Sequence, residues 1–182
     1  MNVLLHICCA NCAIFPVKTL RAAGHHITGF FFNHNIHPYQ EYQKRLNAVR
    51  HFANVSELKV TYNDTYSLEE FLAAVAESPD SRCIYCYQSR LKETAAFAAK
   101  AGYEAFSSSL LYSRYQNHQL IKELAQELAD HYGLKFVYHD FRVGWQEGIQ
   151  SSKSMGLYRQ QYCGCIYSEK DRYDKGRVAN GT

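Results

Sequence analysis

Along the first 140 positions, short unbroken apolar runs alternate with longer stretches whose apolar residues return every three or four places. The runs "NVLLHI" (2–7), "HITGFFFN" (26–33), "LKVTYN" (58–63), "EAFSSSLL" (104–111) and "LKFVYHDF" (134–141) predict five strands. Between them, 13–23, 38–55, 67–77, the Ala-rich stretch that follows Cys83 and Cys86 up to 101, and 118–133 predict helices. Pro16 suits the first turn of the first of these, and Pro38 stands near the start of the second. Ser67 with Glu70 three places on has the form of a capping box. Gly24, Gly102 and Gly133 mark stops. From Trp145 to about Asp174 the period is lost and Tyr, Gly and charge dominate; the last few residues are expected to fray.

Strands that alternate with helices argue for an α/β protein with a mostly parallel sheet covered on both faces. In such sheets, sites form beyond the carboxyl ends of the strands. "HICCANC" follows the first strand, "SSSLLYSRY" the fourth, and "HDF" ends the fifth, so the fold gathers them at one edge. The chain of 182 residues suits one domain. It divides into a sheet core over 1–140 and a Cys-, Tyr- and Arg-rich segment, 141–175, expected to close the site. Neither a repeat nor an interdomain linker interrupts it.

Composition narrows the class. With 47% hydrophobic and 20% charged residues, the chain is an ordinary globular one. No apolar run approaches membrane-span length, and "MNVLLHICCA" carries no basic leader. The expectation is a cytoplasmic protein, where thiols stay reduced and cysteine clusters serve metal or redox chemistry. The net charge is +3. Residues 1–140 balance at 13 basic and 13 acidic, so the surplus, 7 against 4, lies in 141–182. That surplus suits either a phosphate-binding face or a solvated basic tail.

Seven cysteines fall in three groups: Cys8, Cys9 and Cys12; Cys83 and Cys86; Cys163 and Cys165. An odd number excludes complete internal pairing. The first group lies where a strand end allows the backbone to turn two neighbouring thiols towards one point, with Cys12 near a helix start that favours a thiolate. A lone cysteine there would read as a small buried hydrophobe; three together read as ligands. "CIYC" is either a redox dithiol or half of a zinc or iron–sulfur site. "CGC", freed to fold tightly by Gly164, either ligates a metal or closes a strained redox disulfide. Seven thiols exceed one zinc site, and no His pair stands at ligand spacing; His6, His118 and His139 read as packing residues. A four-iron cluster takes about four thiolates, which leaves two or three for a redox pair or a second iron. No nucleotide fingerprint is present, neither G-x-G-x-x-G nor a phosphate loop. Tyr158, Tyr162 and Tyr167 flank Arg159, and suit either stacking on an unpaired base or walling off a cluster.

"LLHICCANC", "RCIYCYQSRLKETA", "FSSSLLYSRYQNHQLI", "DFRVGWQEGIQ" and "LYRQQYCGCIYSE", in this order over residues 3–169, resemble the QueH epoxyqueuosine reductases. The resemblance implies a single-domain three-layer sandwich with a Rossmann-like (HUP-like) sheet. It implies removal of the epoxide oxygen of epoxyqueuosine at the tRNA wobble position, the last step to queuosine, without cobalamin. The implied cofactors are a 4Fe-4S cluster and a second, mononuclear iron. Cys8, Cys9, Cys83 and Cys86 match the cluster ligands. Cys163 and Cys165 match a redox pair or ligands of the second iron. Cys12 stands where relatives vary between cysteine and aspartate and joins the metal-binding set. Asn11 stands where proline is expected, a departure at a loop and not at a thiol. Asp140 and Tyr162 are candidates for the catalytic acid, and Arg159 and Lys153 for tRNA phosphate contacts. An electron donor is required and not identified. The rival functions are a metal-free dithiol oxidoreductase, a zinc-stabilised RNA-binding domain, and an ATP-dependent tRNA sulfur enzyme, for which no ATP loop is present.

Overall fold

Val3, Leu4 and Leu5 are wholly buried, and the strand they build, β1 (Asn2–His6), lies at the middle of the sheet. The computed structural model describes residues 1–174. On one side β1 pairs with β2 (His26–Phe32), which pairs with β3 (Val60–Asn63); on the other it pairs with β4 (Ala105–Ser108), which pairs with β5 (Lys135–Phe136). All four pairings are parallel, in the order β3-β2-β1-β4-β5. The expected mostly parallel α/β sheet is therefore present.

The helices are α1 (Ala10–Ala22), α2 (Tyr39–Val55), α3 (Leu68–Val75), α4 (Arg82–Lys100), α5 (His118–Tyr132), α6 (Trp145–Ser154) and α7 (Ile166–Tyr173). Right-handed crossovers fix their sides. Steps from β1 to β2 to β3 move one way across the sheet and put α1 and α2 on one face. The step from β4 to β5 moves the other way and puts α5 on the opposite face, where it packs against α4. The direction of winding reverses between β1 and β4, so a crevice opens beyond their carboxyl ends.

Five local expectations are corrected. Helix α1 begins at Ala10, three residues early, because the chain turns directly after the extended Cys9. Pro16 therefore lies inside the helix and leaves the Cys12 carbonyl without its usual N–H partner. Ser67 does cap α3 by position, but at φ −118° and ψ 59° its side chain accepts no hydrogen bond from the helix N–H groups, and no capping box forms. Strand β4 ends at Ser108, whose hydroxyl accepts from Leu110 N at 3.2 Å and starts a 3-10 turn over Ser109–Tyr112. Strand β5 stops at Phe136, two residues short of the end of β4 in their register; the next carbonyl, that of Val137, accepts from Ser107 Oγ at 2.8 Å, and residues 138–141 are not a strand.

Two glycines set the position of α6. A Cβ on Gly144 would lie 2.2 Å from the Phe15 ring, and one on Gly148 would lie 2.1 Å from the Tyr112 hydroxyl. Their bare backbones let α6 lie against α1 and bring Trp145 to the crevice. No described helix is long and apolar enough to cross a membrane. The expected fraying falls on residues 175–182, outside the described residues, as do Lys175 and Arg177 of the basic surplus.

Candidate thiol centre at the strand switch point

The backbone turn after β1 brings the sulfurs of Cys8, Cys9 and Cys12 within 4.8 Å of one another, with 3.8 Å between Cys8 and Cys9 Sγ. Among the described residues this is the set of three or more His, Cys, Asp or Glu side chains close enough to share one ion. Cys9 and Cys12 are buried and Cys8 half-buried. Cys12 and Cys9 donate to Cys8 and hold it well below the usual thiol range. Cys9 accepts from Cys12, yet its donation to Cys8 and its burial push it up. Cys12 is pushed up by donating to both and by burial. Cys8 is thus the sulfur most readily ionised, and a soft cation entering would displace the protons of the others.

Each sulfur is held from outside. Ser109 Oγ accepts from Cys8 N at 3.0 Å and donates to Cys8 Sγ at 3.4 Å. Gln160 Nε2 donates to Cys9 Sγ at 2.9 Å. Asn11 orients that amide: its Nδ2 donates to Gln160 Oε1 at 2.6 Å and to the Tyr158 carbonyl at 2.9 Å, while Ser152 donates to Asn11 Oδ1. The residue that stands in place of the expected proline lies in the first turn of α1, not in a loop, and ties that turn to the C-terminal segment. Beneath the turn, His6 Nε2 donates to the Phe32 carbonyl at 3.1 Å, which leaves Nδ1 to accept from Ser108 at 3.0 Å. Burial and the charge of Arg90 push His6 down to about 4, so the ring is neutral.

Two buried arginines that the sequence did not single out complete the centre. Arg45, on α2, donates to Glu41 at 2.7 Å and to the carbonyls of Cys163 (2.6 Å) and Tyr162 (2.9 Å). Arg90, on α4, donates to Cys86 Sγ at 2.8 Å and to the Cys86 carbonyl at 3.0 Å. Burial opposes the Arg90 charge, but Cys86 and Cys8 more than restore it, with a further contribution from Cys163. Arg90 thus stands electrostatically among all three cysteine groups. Both arginines fall in the apolar stripe of their helices, beside Tyr42 and Leu46 and beside Tyr87 and Leu91. A charge in such a stripe is the sequence signal that could have found them.

A cavity of about 810 Å³ opens over Cys8, Cys9 and Cys12, and Arg45, Arg90 and Cys163 also line it. Cys83, Cys86 and Cys165 are not in its wall. Cys86 is buried, and that burial pushes its thiol up to about 12. Cys83 is exposed and also pushed up, by partial desolvation and then Cys163. Cys165 caps α7, its Sγ accepting from Ser168 N at 3.4 Å. Tyr162 lines the cavity, donates to the His37 carbonyl at 2.6 Å, and is pushed up to about 12 by burial and Glu41. Asp140 is not in the wall: Arg142 grips both its oxygens, at 2.8 and 2.7 Å, and holds it down to about 2. Arg159 lines the cavity, whereas Lys153 lies exposed on α6 outside it.

Fold and site together define a doubly wound α/β protein that carries a thiol centre able to bind metal at its strand switch point. The family model described as "Epoxyqueuosine reductase QueH" matches residues 3–171. A QueH epoxyqueuosine reductase of Dehalococcoides mccartyi is 40% identical over 174 residues, covering 96% of each chain. One of Thermotoga maritima is 39% identical over 184 residues, covering 96% of this chain and 93% of its own. The chain belongs to the QueH family of epoxyqueuosine reductases and is an oxidoreductase by that membership.

Proposed function

We propose that this protein removes the epoxide oxygen of epoxyqueuosine at the wobble position of tRNA, giving queuosine in the last step of its synthesis, without cobalamin. Taking the oxygen out as water consumes two electrons and two protons and leaves a carbon–carbon double bond. The observation that carries the reading is the trio Cys8, Cys9 and Cys12, gathered within 4.8 Å at the floor of an arginine-lined cavity.

An all-sulfur donor set at that separation fits iron or an iron–sulfur cluster. In this reading Cys8, Cys9, Cys83 and Cys86 would hold a 4Fe-4S cluster, Cys12 would be a further iron ligand, and Cys163 and Cys165 would serve as a redox pair or hold a second iron. Such a centre, when bound, supplies electrons and a Lewis-acidic site for the oxygen. The chain's own residues do the rest. Arg45 and Arg90 set buried positive charge beside the thiolates and beside the oxygen as it gains electrons. Tyr162 keeps its proton to high pH, and of the two candidate acids it alone is in the cavity wall, although it must leave the His37 carbonyl to donate into the cavity. Asp140, an ionised partner of Arg142, serves the turn that leads into α6. Arg159 lines the path of the RNA strand, with Lys153 further out.

The test is anaerobic reconstitution followed by incubation of the reduced protein with tRNA carrying epoxyqueuosine. Queuosine in the nucleoside digest, together with iron and sulfide bound to the protein, is the expected result. A colourless protein whose activity survives iron removal would favour metal-free dithiol chemistry. Stoichiometric zinc without turnover would favour a binding domain.

A further inference from the structure

The cavity has room for about one nucleoside. At about 810 Å³ it lies within the size range of pockets that enclose a single small ligand. An enzyme that acts on a base within an RNA strand draws that nucleotide out and into the pocket. Its neighbours in the strand must then lie on the rim, each with an unstacked face to cover.

The rim offers one face suited to that task. Tyr115, just beyond the 3-10 turn after β4, is 86% exposed, the most exposed large apolar side chain among the described residues. It is not a loose ring. Trp145 meets it in a T-shaped contact at 5.9 Å, and Trp145 is itself stacked on buried Tyr112 at 5.3 Å and 25°. Arg114 lies over the Trp145 ring at 5.4 Å. The second face of Trp145 is thereby taken, and the open aromatic surface is that of Tyr115. An isolated exposed tyrosine needs no explanation; one braced by a buried stack at the mouth of a catalytic cavity does.

Charge points the same way. The cavity wall carries Arg45, Arg90, Arg159 and Arg172 against a single carboxylate, Asp171, which is paired to Arg82 at 2.6 Å. Among the described residues, Arg114, Arg159 and Arg172 have no carboxylate partner. Unpaired guanidiniums beside an open ring form the combination that holds single-stranded nucleic acid: a stack for the base and a cation for the adjoining phosphate.

We propose that Tyr115, braced by Trp145, is the stacking platform for the unpaired nucleobase next to the reacting nucleotide, and that Arg114 takes the phosphate between the two. This rests on an RNA substrate, as in the proposed function, and adds how the enzyme grips a loop in place of a free nucleoside.

The protein carries its own probe, because Trp145 is its single tryptophan. An unmodified anticodon stem-loop RNA, titrated into the metal-loaded protein, is expected to change Trp145 fluorescence and give an affinity. Tyr115→Ala should weaken that affinity between about fivefold and about 150-fold, the range for losing one base–aromatic stack. Tyr115→Phe should bind like the parent, since the ring and not the hydroxyl stacks. An abasic site beside the wobble position should weaken binding to the parent but not to Tyr115→Ala, and the position with that effect identifies the stacked base. Binding by Tyr115→Ala within twofold of the parent, or equal losses from abasic sites in both proteins, overturns the platform. Reduction of epoxyqueuosine by the parent protein is assayed in parallel. If it is present while the stack test fails, the platform alone is wrong; if it is absent, the proposed function fails first.

Discussion

The two ends of the cysteine framework are built in opposite ways. Cys8, Cys9 and Cys12 sit at the junction of a buried strand and the helix it feeds, and their sulfurs already converge. Cys163 and Cys165 sit on a segment without regular structure, held almost wholly by other parts of the chain. Arg45 grips two of its carbonyls, while His37 gives its N–H to Gly164 O at 2.8 Å, takes the Ile166 N–H on Nδ1 at 3.4 Å, and receives the Tyr162 hydroxyl on its carbonyl. The first group is positioned by the sheet; the second is positioned by α2 and the loop before it. Binding strength for a metal should reside in the former, and sensitivity to distant substitution in the latter.

The largest expected effect tests that division at the thiols. Under the proposed function, Cys9→Ser should reduce bound iron to background after anaerobic reconstitution, measured by elemental analysis. Cys163→Ser should retain most of the iron and lose turnover. Equal loss of iron from both variants would mean that the two groups hold one centre with equal shares, and the contrast would fall.

How far the sequence could show this contrast depends on what sets each part. The order of β1 to β4 and their helices was legible because apolar period alone decides it: "NVLLHI" and "YQEYQKRLNAVRHFANV" admit one assignment each. The end of β4 and the brevity of β5 were not, because both are set by serine hydroxyls that read as strand sequence: Ser108 accepts from Leu110 N, and Ser107 donates to the Val137 carbonyl. At the site, three sulfurs in five positions announced the trio. Arg45 and Arg90 belong to no motif, although their positions in the apolar stripes of α2 and α4 mark them as buried. Gln160 left no mark, and Asn11 showed only as a departure from an expected proline, since their meeting depends on a long-range return of the chain.

The next effect is on stability and is local to the second region. Arg45 and Glu41 are 2% and 7% exposed, so Arg45→Met strands a buried carboxylate along with the Tyr162 and Cys163 carbonyls. A loss of about 3 kcal/mol is expected, read from the urea midpoint at constant slope. Limited proteolysis should cut near residues 158–166 in the variant before any cut near the trio. If cleavage starts instead in 8–12, α2 supports the trio as much as the C-terminal segment, and the two regions are not separately held.

The smallest effect concerns His37, the other clamp on that segment. Its Nε2 faces the His34 carbonyl at 3.1 Å, which can only accept, so Nε2 carries the proton and Nδ1 is the acceptor for Ile166 N–H. Burial pushes the ring down to about 4 from the usual 6.5. The sign follows from proton counting. Below 6.5 the unfolded chain takes up a proton that the folded ring refuses until about 4, so stability is level above 6.5 and falls as pH drops through that window. At pH 5 the His37 share is about 2 kcal/mol, at about 1.4 kcal/mol per pH unit. His6 and His34, pushed down to about 4 and about 3 chiefly by burial, add to the slope in the same direction. His37→Gln offers an amide N–H and a carbonyl in place of the two ring nitrogens and does not titrate. Melting temperatures of the parent and His37→Gln, taken from pH 7.5 down to pH 5, should therefore converge as the parent pays for its neutral ring and the variant does not. Parallel curves across that range would place His37 in water-accessible contact with its protons, and the clamp on the C-G-C segment would then rest on Arg45 alone.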